Sequence, residues 1–443
     1  MSKKVIILGS GPGGYSAALF GAQSGLEITL IEREQVGGVC LNRGCIPTKT
    51  LLFCSKLVQQ LKKASGLGIK IGVPEIELPV MVERKNKLVD RLRRSVEFLL
   101  KKRGVNLVRG DGKVLSPTEV EVNGTVYSGD NLILAAGTSQ LKLWQGERVI
   151  TSDEALDAQE LPQTLLVVGG GAVGIELATF FAQLGVKVTL MEMLPRILPP
   201  ADPEVSETLA KELQKKGITV KTNTAVKTIE GKTVETQDGS RQEFDLILSA
   251  VGRKMNTENL GLEAVGLSLV KGQIAVNQYM ETSVPGVFAV GDIIQGSPLL
   301  AHAAYHHGRE AVSRIMGVKE DLKAEIPWCI FSSPQVAWVG KRPDELENPL
   351  VAKVPIQVLG IAQALEETAG FIKVVADRKT REIVGVHIIG ESAAELIHVG
   401  AVAIKQRTEI AEMASMIFAH PTFSEMYGEA ALLLEGKPFH MML

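Results

Sequence analysis

The sequence predicts an α/β protein with two doubly wound parallel-sheet units, followed by a separate α+β domain. Three observations lead to this fold. A pattern of strand, glycine turn, helix and strand occurs twice, each copy is followed by a further apolar strand that ends in glycine, and the last part of the chain alternates strands with helices. At about 150 residues per domain, the 443 residues fit three domains.

The repeated pattern spans Val5–Glu32 and Leu165–Glu192, which align without a gap at an offset of 160 residues. Each copy has an apolar strand, a glycine-rich turn, an alanine-rich helix and a second apolar strand ending in Glu, which is a βαβ unit. The turn glycines of the two copies align as Gly9, Gly11 and Gly14 with Gly169, Gly171 and Gly174.

This glycine pattern has a definite chemistry. The first glycine permits a tight turn, the second lets a diphosphate approach the backbone, and the third lets the helix pack closely on the strand. Glu32 and Glu192 each follow the third glycine by 18 residues, where a carboxylate can accept hydrogen bonds from ribose hydroxyls. One such motif is weak evidence, but two copies between strand and helix predict two dinucleotide sites. The later strands that end at Gly137 and Gly252 are expected to lead into turns beside the nucleotides.

Composition excludes several other classes of protein. The net charge of −2 gives no positive field that would gather nucleic acid or anionic lipid. Four cysteines are too few for a disulfide-stapled secreted domain. The first apolar run, Val5–Leu8, is too short for a signal peptide, and no apolar stretch reaches the ~18 residues of a membrane span. We therefore expect a cytoplasmic protein.

Cys40 and Cys45 lie just beyond the first βαβ unit. Two cysteines five residues apart could be buried thiols or half of a metal site, but Cys54 alone does not complete a ligand set, so no metal site is predicted. The segment from about Gly44 can start a helix with Pro47 in its first turn, and a thiolate at a helix N-terminus has a lowered pKa. A redox-active disulfide is the favoured interpretation.

Together these motifs resemble those of the pyridine nucleotide–disulfide oxidoreductases, and most closely the dihydrolipoyl dehydrogenases among them, over essentially the whole chain. The motifs that carry the resemblance are Gly9-x-Gly-x-x-Gly14, Cys40-Leu-Asn-Arg-Gly-Cys45-Ile-Pro-Thr-Lys49, Gly169-x-Gly-x-x-Gly-Ile-Glu176, Val290-Gly-Asp292 and His420-Pro-Thr-Phe-Ser-Glu425. The resemblance implies FAD on the first unit, NAD on the second and a homodimer formed by the last domain. The domains it implies are 1–148 and 274–325 for FAD, 149–273 for NAD and 326–443 for dimerisation.

The resemblance also implies roles for single residues. Cys40 would exchange with the substrate, and Cys45 would lie against the flavin and form a charge-transfer complex with it. Lys49 and Glu176 would form an ion pair beside flavin N5, and Asp292 would bind the ribityl chain. The helix after Leu299 would point its N-terminus at the flavin pyrimidine edge, with Ala303 in its first turn.

His420 and Glu425 fit general acid–base work, because an imidazole can accept a thiol proton near neutral pH while a carboxylate orients it. Since the resemblance assigns both to the dimer domain, we expect His420 to serve the cysteine pair of the other subunit. Among the remaining histidines, His387, His398 and His440 are expected to be structural, and Met441-Met442 to end a frayed or apolar tail.

The implied reaction is oxidation of protein-bound dihydrolipoamide with NAD. The carrier would be a separate lipoyl protein of a 2-oxo acid dehydrogenase or glycine-cleavage system. Glu192 favours NAD, because it would repel the 2′-phosphate of NADP. Another NAD(P)H-dependent disulfide reductase of the same family, or a non-catalytic scaffold subunit, is the alternative. The chain departs from the family pattern at three places: Phe418, Met255 and Gly360–Gln363. None touches the core electron path, but Phe418 bears on the substrate channel and its preference.

Overall fold

The computed structural model describes residues 2–318 and 325–441. The first part contains β1 Lys4–Leu8, α1 Pro12–Gln23, β2 Glu27–Glu32, α2 Gly38–Arg43, α3 Cys45–Lys63, α4 Leu78–Lys102, β3 Asn106–Arg109, β4 Gly112–Ser116, β5 Glu119–Val122, β6 Thr125–Ser128, β7 Asn131–Leu134 and β8 Thr138–Gln140.

The middle part contains β9 Val149–Ile150, α5 Ser152–Leu156, β10 Thr164–Val168, α6 Ala172–Gln183, β11 Lys187–Met191, α7 Pro203–Lys215, β12 Thr219–Lys221, β13 Val226–Glu230, β14 Thr233–Thr236, β15 Arg241–Glu243, β16 Leu246–Ser249, β17 Arg253–Met255, β18 Leu269–Val270, β19 Gln273–Ile274, β20 Val287–Ala289 and α8 Ala301–Ile315. The last part contains β21 Trp328–Ile330, β22 Gln335–Gly340, β23 Leu350–Pro355, α9 Gly360–Ala364, β24 Phe371–Ala376, β25 Ile383–Gly390, α10 Ala393–Gln406, α11 Ile410–Ser415 and α12 Glu425–Leu434.

The first sheet is parallel, with the strand order β20-β7-β1-β2-β3. The apolar run of β1 is buried on both faces, as expected for a central parallel strand. Helices α1 and α8 pack against each other, and both contribute to the core on one face of the sheet. Because β20 returns to the sheet next to β7, a strand from beyond the middle part completes this unit.

The second sheet is also parallel, with the order β12-β11-β10-β16-β9. Its central strand pairs with the next strand as in the first unit: Val5 is opposite Ile28, and Leu165 is opposite Val188. The two predicted βαβ units are therefore confirmed as β1-α1-β2 and β10-α6-β11. Helix α3 packs on α6 and connects the two units.

The last part folds around an antiparallel sheet of order β21-β22-β25-β24-β23. Helix α10 packs on β22 and β25, and α12 packs on β23 and β24. The separate α+β domain is confirmed. Its start at 326 stays a prediction, and residues 319–324 before it lie outside the described part of the chain.

Residues before position 273 already take part in the core of the first sheet. Leu262 packs in one cluster with Ile6 and Leu8, and the Val114 N–H donates to Leu260 O at 2.8 Å. The exact division at 273 stays a prediction. In residues 2–318 and 325–441, no helix has the length and apolar composition needed to cross a membrane.

Candidate active site

The first and third glycines of each turn are required by close backbone contacts. Gly9 has φ +102°, and a Cβ there would lie 2.4 Å from Ala135 O. A Cβ at Gly14 would lie 1.8 Å from Gly9 O, so only glycine allows α1 to pack this closely. In the second unit, a Cβ at Gly174 would lie 2.0 Å from Gly169 O. The fold itself therefore demands these glycines.

The middle glycines are not required by backbone contacts but leave open space beside the turn. A Cβ at Gly171 would meet no atom within 4 Å, and at Gly11 it would meet only Gly38 Cα at 4.0 Å. Both residues cap helices whose first turns receive no side-chain cap. Uncapped N–H groups beside open space form an anion site, so both turns fit the diphosphate of a dinucleotide.

The two glutamates at the ends of β2 and β11 are held in the same way. Glu32 accepts hydrogen bonds from Ser10 N at 2.9 Å and Glu34 N at 2.7 Å. Glu192 accepts them from Gly170 N at 2.7 Å and Leu194 N at 2.9 Å. Glu32 Oε2 also accepts from Ser10 Oγ at 2.6 Å. Glu32 Oε1 and both oxygens of Glu192 therefore keep a lone pair for a ribose hydroxyl beside the glycine turn.

A polar cluster lies where β8 and β17 pair. Thr138 Oγ1 donates to Asp292 Oδ2 at 3.2 Å, and Arg253 donates to Thr138 Oγ1 at 2.6 Å and to Thr138 O at 3.1 Å. Burial raises the pKa of Asp292, while Thr138 and Arg253 oppose that rise. Gly137 and Gly252 precede these strands with φ of +63° and +127°, and a Cβ on either would face open space. An anchored carboxylate beside open space fits a cofactor hydroxyl.

Helix α8 begins after Leu300 with no side-chain cap. Ala303, in its first turn, is buried. The N–H groups of this turn are therefore available to a partner outside the helix, which fits the electron-rich edge of a flavin ring.

Cys40 lies in α2, and Cys45 is the first residue of α3. Both are free thiols. The hydrogen bond from the Cys40 thiol, opposed by burial and assisted by the Lys49 charge, lowers the pKa of Cys45 to about 7. The same hydrogen bond, together with burial, raises the pKa of Cys40. The first thiolate of the reduced pair is therefore on Cys45.

Lys49, one turn into α3, forms an ion pair with Glu176 of α6. Its Nζ lies 2.9 and 2.8 Å from the two carboxylate oxygens. The Phe331 N–H also donates to Glu176 at 2.9 Å, and Lys49 Nζ lies 4.7 Å from the centre of the Phe331 ring. All three parts of the chain thus meet at this pair.

His420 and Glu425 form the predicted pair, with His420 Nδ1 2.9 Å from Glu425 Oε2. The Thr422 N–H donates to the other oxygen of Glu425 at 2.7 Å. Burial alone would raise the pKa of Glu425, but these two hydrogen bonds hold it below its ordinary value. The His420 side chain is 73 % exposed, so its Nε2 edge is open to a neighbouring molecule.

Sequence reasoning missed several residues of this region. Thr138 and Phe331 carry no motif, and only tertiary contacts connect them with Asp292 and Glu176. Tyr15 of α1 and Tyr305 of α8 were also missed, although their hydroxyls lie 2.6 Å apart. The described residues contain no group of three or more His, Cys, Asp or Glu side chains that could hold a metal ion.

Comparison with known proteins gives a consistent result. Residues 3–308 match the pyridine nucleotide-disulphide oxidoreductase family, and residues 326–431 match its dimerisation domain. A dihydrolipoyl dehydrogenase of Thermus scotoductus is 40 % identical, over 99 % of this chain and 98 % of that protein. The mitochondrial dihydrolipoyl dehydrogenase of Pisum sativum is 36 % identical, over 99 % of this chain and 92 % of that protein.

The crystal structure of LpdA from Mycobacterium tuberculosis superposes with a TM-score of 0.91 at 28 % identity, covering 98 % of this chain and 99 % of that one. The HOCl-induced flavoprotein disulfide reductase RclA from Escherichia coli has a TM-score of 0.87 at 24 % identity, over 97 % and 99 % of the two chains, and shows the common fold. By its motifs, its fold and these matches, the chain belongs to the pyridine nucleotide-disulphide oxidoreductase family of FAD-containing flavoproteins.

Proposed function

We propose that this chain oxidises protein-bound dihydrolipoamide with NAD, the activity for which its curated relatives are named. The observation that carries the proposal is the Cys40–Cys45 pair, in which Cys45 is the more acidic thiol. Such a pair can take two electrons from a dithiol. FAD, when bound, would accept those electrons and pass hydride to NAD.

The first step is thiol–disulfide exchange at Cys40. In the oxidised enzyme Cys40 and Cys45 are joined by a disulfide. A substrate thiolate attacks Cys40 Sγ, the Cys40–Cys45 bond breaks, a mixed disulfide forms with Cys40, and Cys45 leaves as a thiolate. Because the pKa of Cys45 is lowered to about 7, it is the better leaving group of the two. The second substrate thiol then attacks the substrate sulfur of the mixed disulfide, which releases oxidised lipoamide and the Cys40 thiolate.

His420 takes the proton from each attacking thiol in this scheme. Glu425 orients the imidazole through Nδ1, which leaves Nε2 to meet the substrate. The exposure of His420 supports a role across a subunit interface, because 73 % of the side chain is left uncovered by its own chain. The homodimer would bring it to the Cys40–Cys45 pair of the other subunit.

Glu192 supports NAD as the nicotinamide substrate. Its carboxylate is fixed beside the second glycine turn by two N–H groups, where it would bind ribose hydroxyls and repel a 2′-phosphate. The lipoyl carrier would be a separate protein of a 2-oxo acid dehydrogenase or glycine-cleavage system. The proposal includes a cytoplasmic location.

A substrate comparison tests the reaction. We expect the purified flavoprotein to reduce NAD with dihydrolipoamide far better than it oxidises NADPH or NADH with glutathione disulfide. The reverse preference would favour another disulfide reductase of the family. Bound FAD without turnover of any disulfide or dithiol would favour a scaffold subunit.

A variant at His420 tests the base. Because general-base catalysis contributes about 10²–10⁴-fold, His420→Gln is expected to slow dihydrolipoamide oxidation by that factor. Electron transfer from NADH to an artificial acceptor bypasses the disulfide and should change little. Glu425→Gln should do less harm, because the imidazole remains but is poorly oriented.

Subunit mixing tests the cross-subunit arrangement. Heterodimers of His420→Gln and Cys40→Ser subunits should regain activity, because one of their two sites then has both an intact cysteine pair and an intact histidine. If mass measurement shows subunit exchange but the mixture stays inactive, His420 does not serve the cysteines of the other subunit.

A further inference from the structure

The loop of residues 416–424, which joins α11 to α12, carries His420 and is held to its own domain by one aromatic side chain. Within residues 416–421, all of which the structure describes, Phe418 is partly buried and the other five residues are exposed. The Phe418 side chain packs at the edge of the core of the last domain, whereas the neighbouring Ile417 is 99 % exposed. Phe418 is therefore the side chain through which this stretch of the loop reaches the interior.

The Phe418 ring lies directly on the backbone of α12. Gly428 is buried in that helix, and a Cβ added there would lie 3.0 Å from Phe418 Cδ2 and 3.1 Å from Phe418 Cε2. A methyl group would make the ring give way by a few tenths of an ångström, and a larger side chain would expel it. The ring thus occupies the space that is free because residue 428 has no side chain.

The same face of α12 receives both the ring and the imidazole. Glu425 and Gly428 are three residues apart, so they are neighbours on the helix surface. Glu425 Oε2 lies 2.9 Å from His420 Nδ1, and Gly428 lies under the Phe418 ring. Two loop residues, two positions apart in the chain, are therefore seated on adjacent positions of one helix.

Helix α12 gives the loop a fixed support. The buried Tyr427 hydroxyl donates to Leu396 O at 2.7 Å and accepts the Gly400 N–H at 3.2 Å, which ties α12 to α10. At the other side of the loop, the Thr422 hydroxyl donates to Ala419 O at 2.8 Å. The backbone on either side of His420 is thus attached to a helix that is itself anchored in the core.

The imidazole has little other support. The His420 side chain is 73 % exposed, and among the described residues Glu425 is its hydrogen-bond partner. A side chain with so few contacts takes its position mainly from the backbone that carries it. The place of His420 Nε2 therefore depends on how the loop is seated, and Phe418 seats it.

We propose that Phe418 is a positioning residue for the catalytic base: its packing against Gly428 fixes the loop so that His420, paired with Glu425, is presented to the substrate. This inference rests on the proposed function. Phe418 contacts no reacting atom in this scheme, so its loss should slow the proton transfer without weakening substrate binding. A misplacement of about 1 Å can cost about 10²-fold in rate, even when the altered residue lies away from the chemistry.

The test is rapid mixing of the oxidised holoenzyme with dihydrolipoamide, which gives the limiting rate of flavin reduction and the half-saturating concentration. Phe418→Ala should lower the limiting rate by about 10-fold to 100-fold and leave the half-saturating concentration within about twofold of the wild type. Phe418→Leu keeps an apolar side chain over Gly428 and should recover most of the loss. Flavin reduction by NADH should be unchanged in both variants, which shows that the holoenzyme is intact. Phe439→Ala removes an exposed ring of the same domain and is the matched control.

Variants at Gly428 separate positioning from a general loss of stability. Gly428→Leu should expel the Phe418 ring and lower the limiting rate as Phe418→Ala does. Phe418→Ala combined with Gly428→Leu refills the same space from the helix side, so the double variant should be faster than either single variant.

Three results would overturn the inference: a wild-type limiting rate in Phe418→Ala, a change confined to the half-saturating concentration, or a double variant in which the two losses multiply. Failure of the wild-type enzyme to oxidise dihydrolipoamide would instead overturn the proposed function.

Discussion

In the first dinucleotide unit the glycine turn lies under the segment that carries Cys40 and Cys45, whereas the matching turn of the second unit stays open. In both units the segment after the second strand donates an N–H to the residue after the first glycine: Gly37 to Ser10 at 2.9 Å, and Leu198 to Gly170 at 2.8 Å. Only the first segment continues over the middle glycine, where a Cβ on Gly38 would lie 2.6 Å from Gly11 Cα.

The helices following the two turns show the same difference. Gly13 is buried, and a Cβ there would lie 3.0 Å from the Val290 side chain and 3.4 Å from Ala304 O. Its counterpart Val173 is 43 % exposed. The same glycine turn is therefore covered by neighbouring residues in the first unit and lies at the surface in the second. This comparison predicts that the first unit retains its dinucleotide through the catalytic cycle and that the second exchanges its dinucleotide with solvent.

The largest loss of cofactor binding and activity should come from substituting the third glycine of each turn. Gly14→Ala would place a Cβ 1.8 Å from Gly9 O, so α1 must move and the purified protein should lack FAD and all activity. Gly174→Ala would place a Cβ 2.0 Å from Gly169 O. This substitution should leave the flavin bound and remove only the reaction with NAD. Flavin absorbance and NAD-dependent turnover measure the two outcomes.

Gly72→Ala is the control for both, because a Cβ there meets nothing within 4 Å. Loss of flavin from Gly174→Ala would contradict the assignment of separate nucleotides to the two units.

These glycine turns were predictable from sequence because their function is local: the turn, helix and carboxylate of each unit lie within one βαβ segment. The pair at Cys40 and Cys45 was predictable for the same reason. Thr138 could not be placed beside Asp292, 154 positions away, because only the pairing of β8 with β17 and the return of β20 bring them together. The contact between His440 Nδ1 and Glu429 Oε1, 2.6 Å apart, likewise joins residues outside any motif, so only the fold reveals it.

The two cysteines should be separable, since only one of them is acidified. Cys40→Ser and Cys45→Ser should both abolish dihydrolipoamide oxidation, because exchange needs both sulfurs. NADH oxidation by an artificial acceptor should persist in both, because the second unit is untouched. Cys40→Ser leaves Cys45 as a lone thiolate and should show a long-wavelength absorption band that Cys45→Ser lacks. Identical spectra would reverse or remove the assignment of roles.

A moderate change in nicotinamide preference is expected from substituting Glu192 of the second unit. Glu192→Arg should lower kcat/KM for NAD by about 10-fold to 100-fold, the range for a lost hydrogen bond to a charged group, and should improve NADP. Glu207→Arg on the exposed face of α7 makes the same charge change away from the turn. If both variants keep the NAD preference of the wild type, Glu192 does not select the nicotinamide.

The smallest effect tests an ion pair that joins the two units, Lys49 of α3 with Glu176 of α6. The hydrogen bond from Cys40 is the main cause of the lowered pKa of Cys45; against the background of burial, Lys49 lowers that pKa further and Glu176 raises it. Lys49→Met should therefore raise the pKa of Cys45 above about 7, and Glu176→Gln should lower it, each by about half a unit. The pH dependence of alkylation of the reduced enzyme measures both shifts, and Lys56→Met, which removes an exposed charge two turns further along α3, is the control. Shifts in the same direction for both variants would mean that the pair acts by holding the two units in place, because a field effect requires opposite signs.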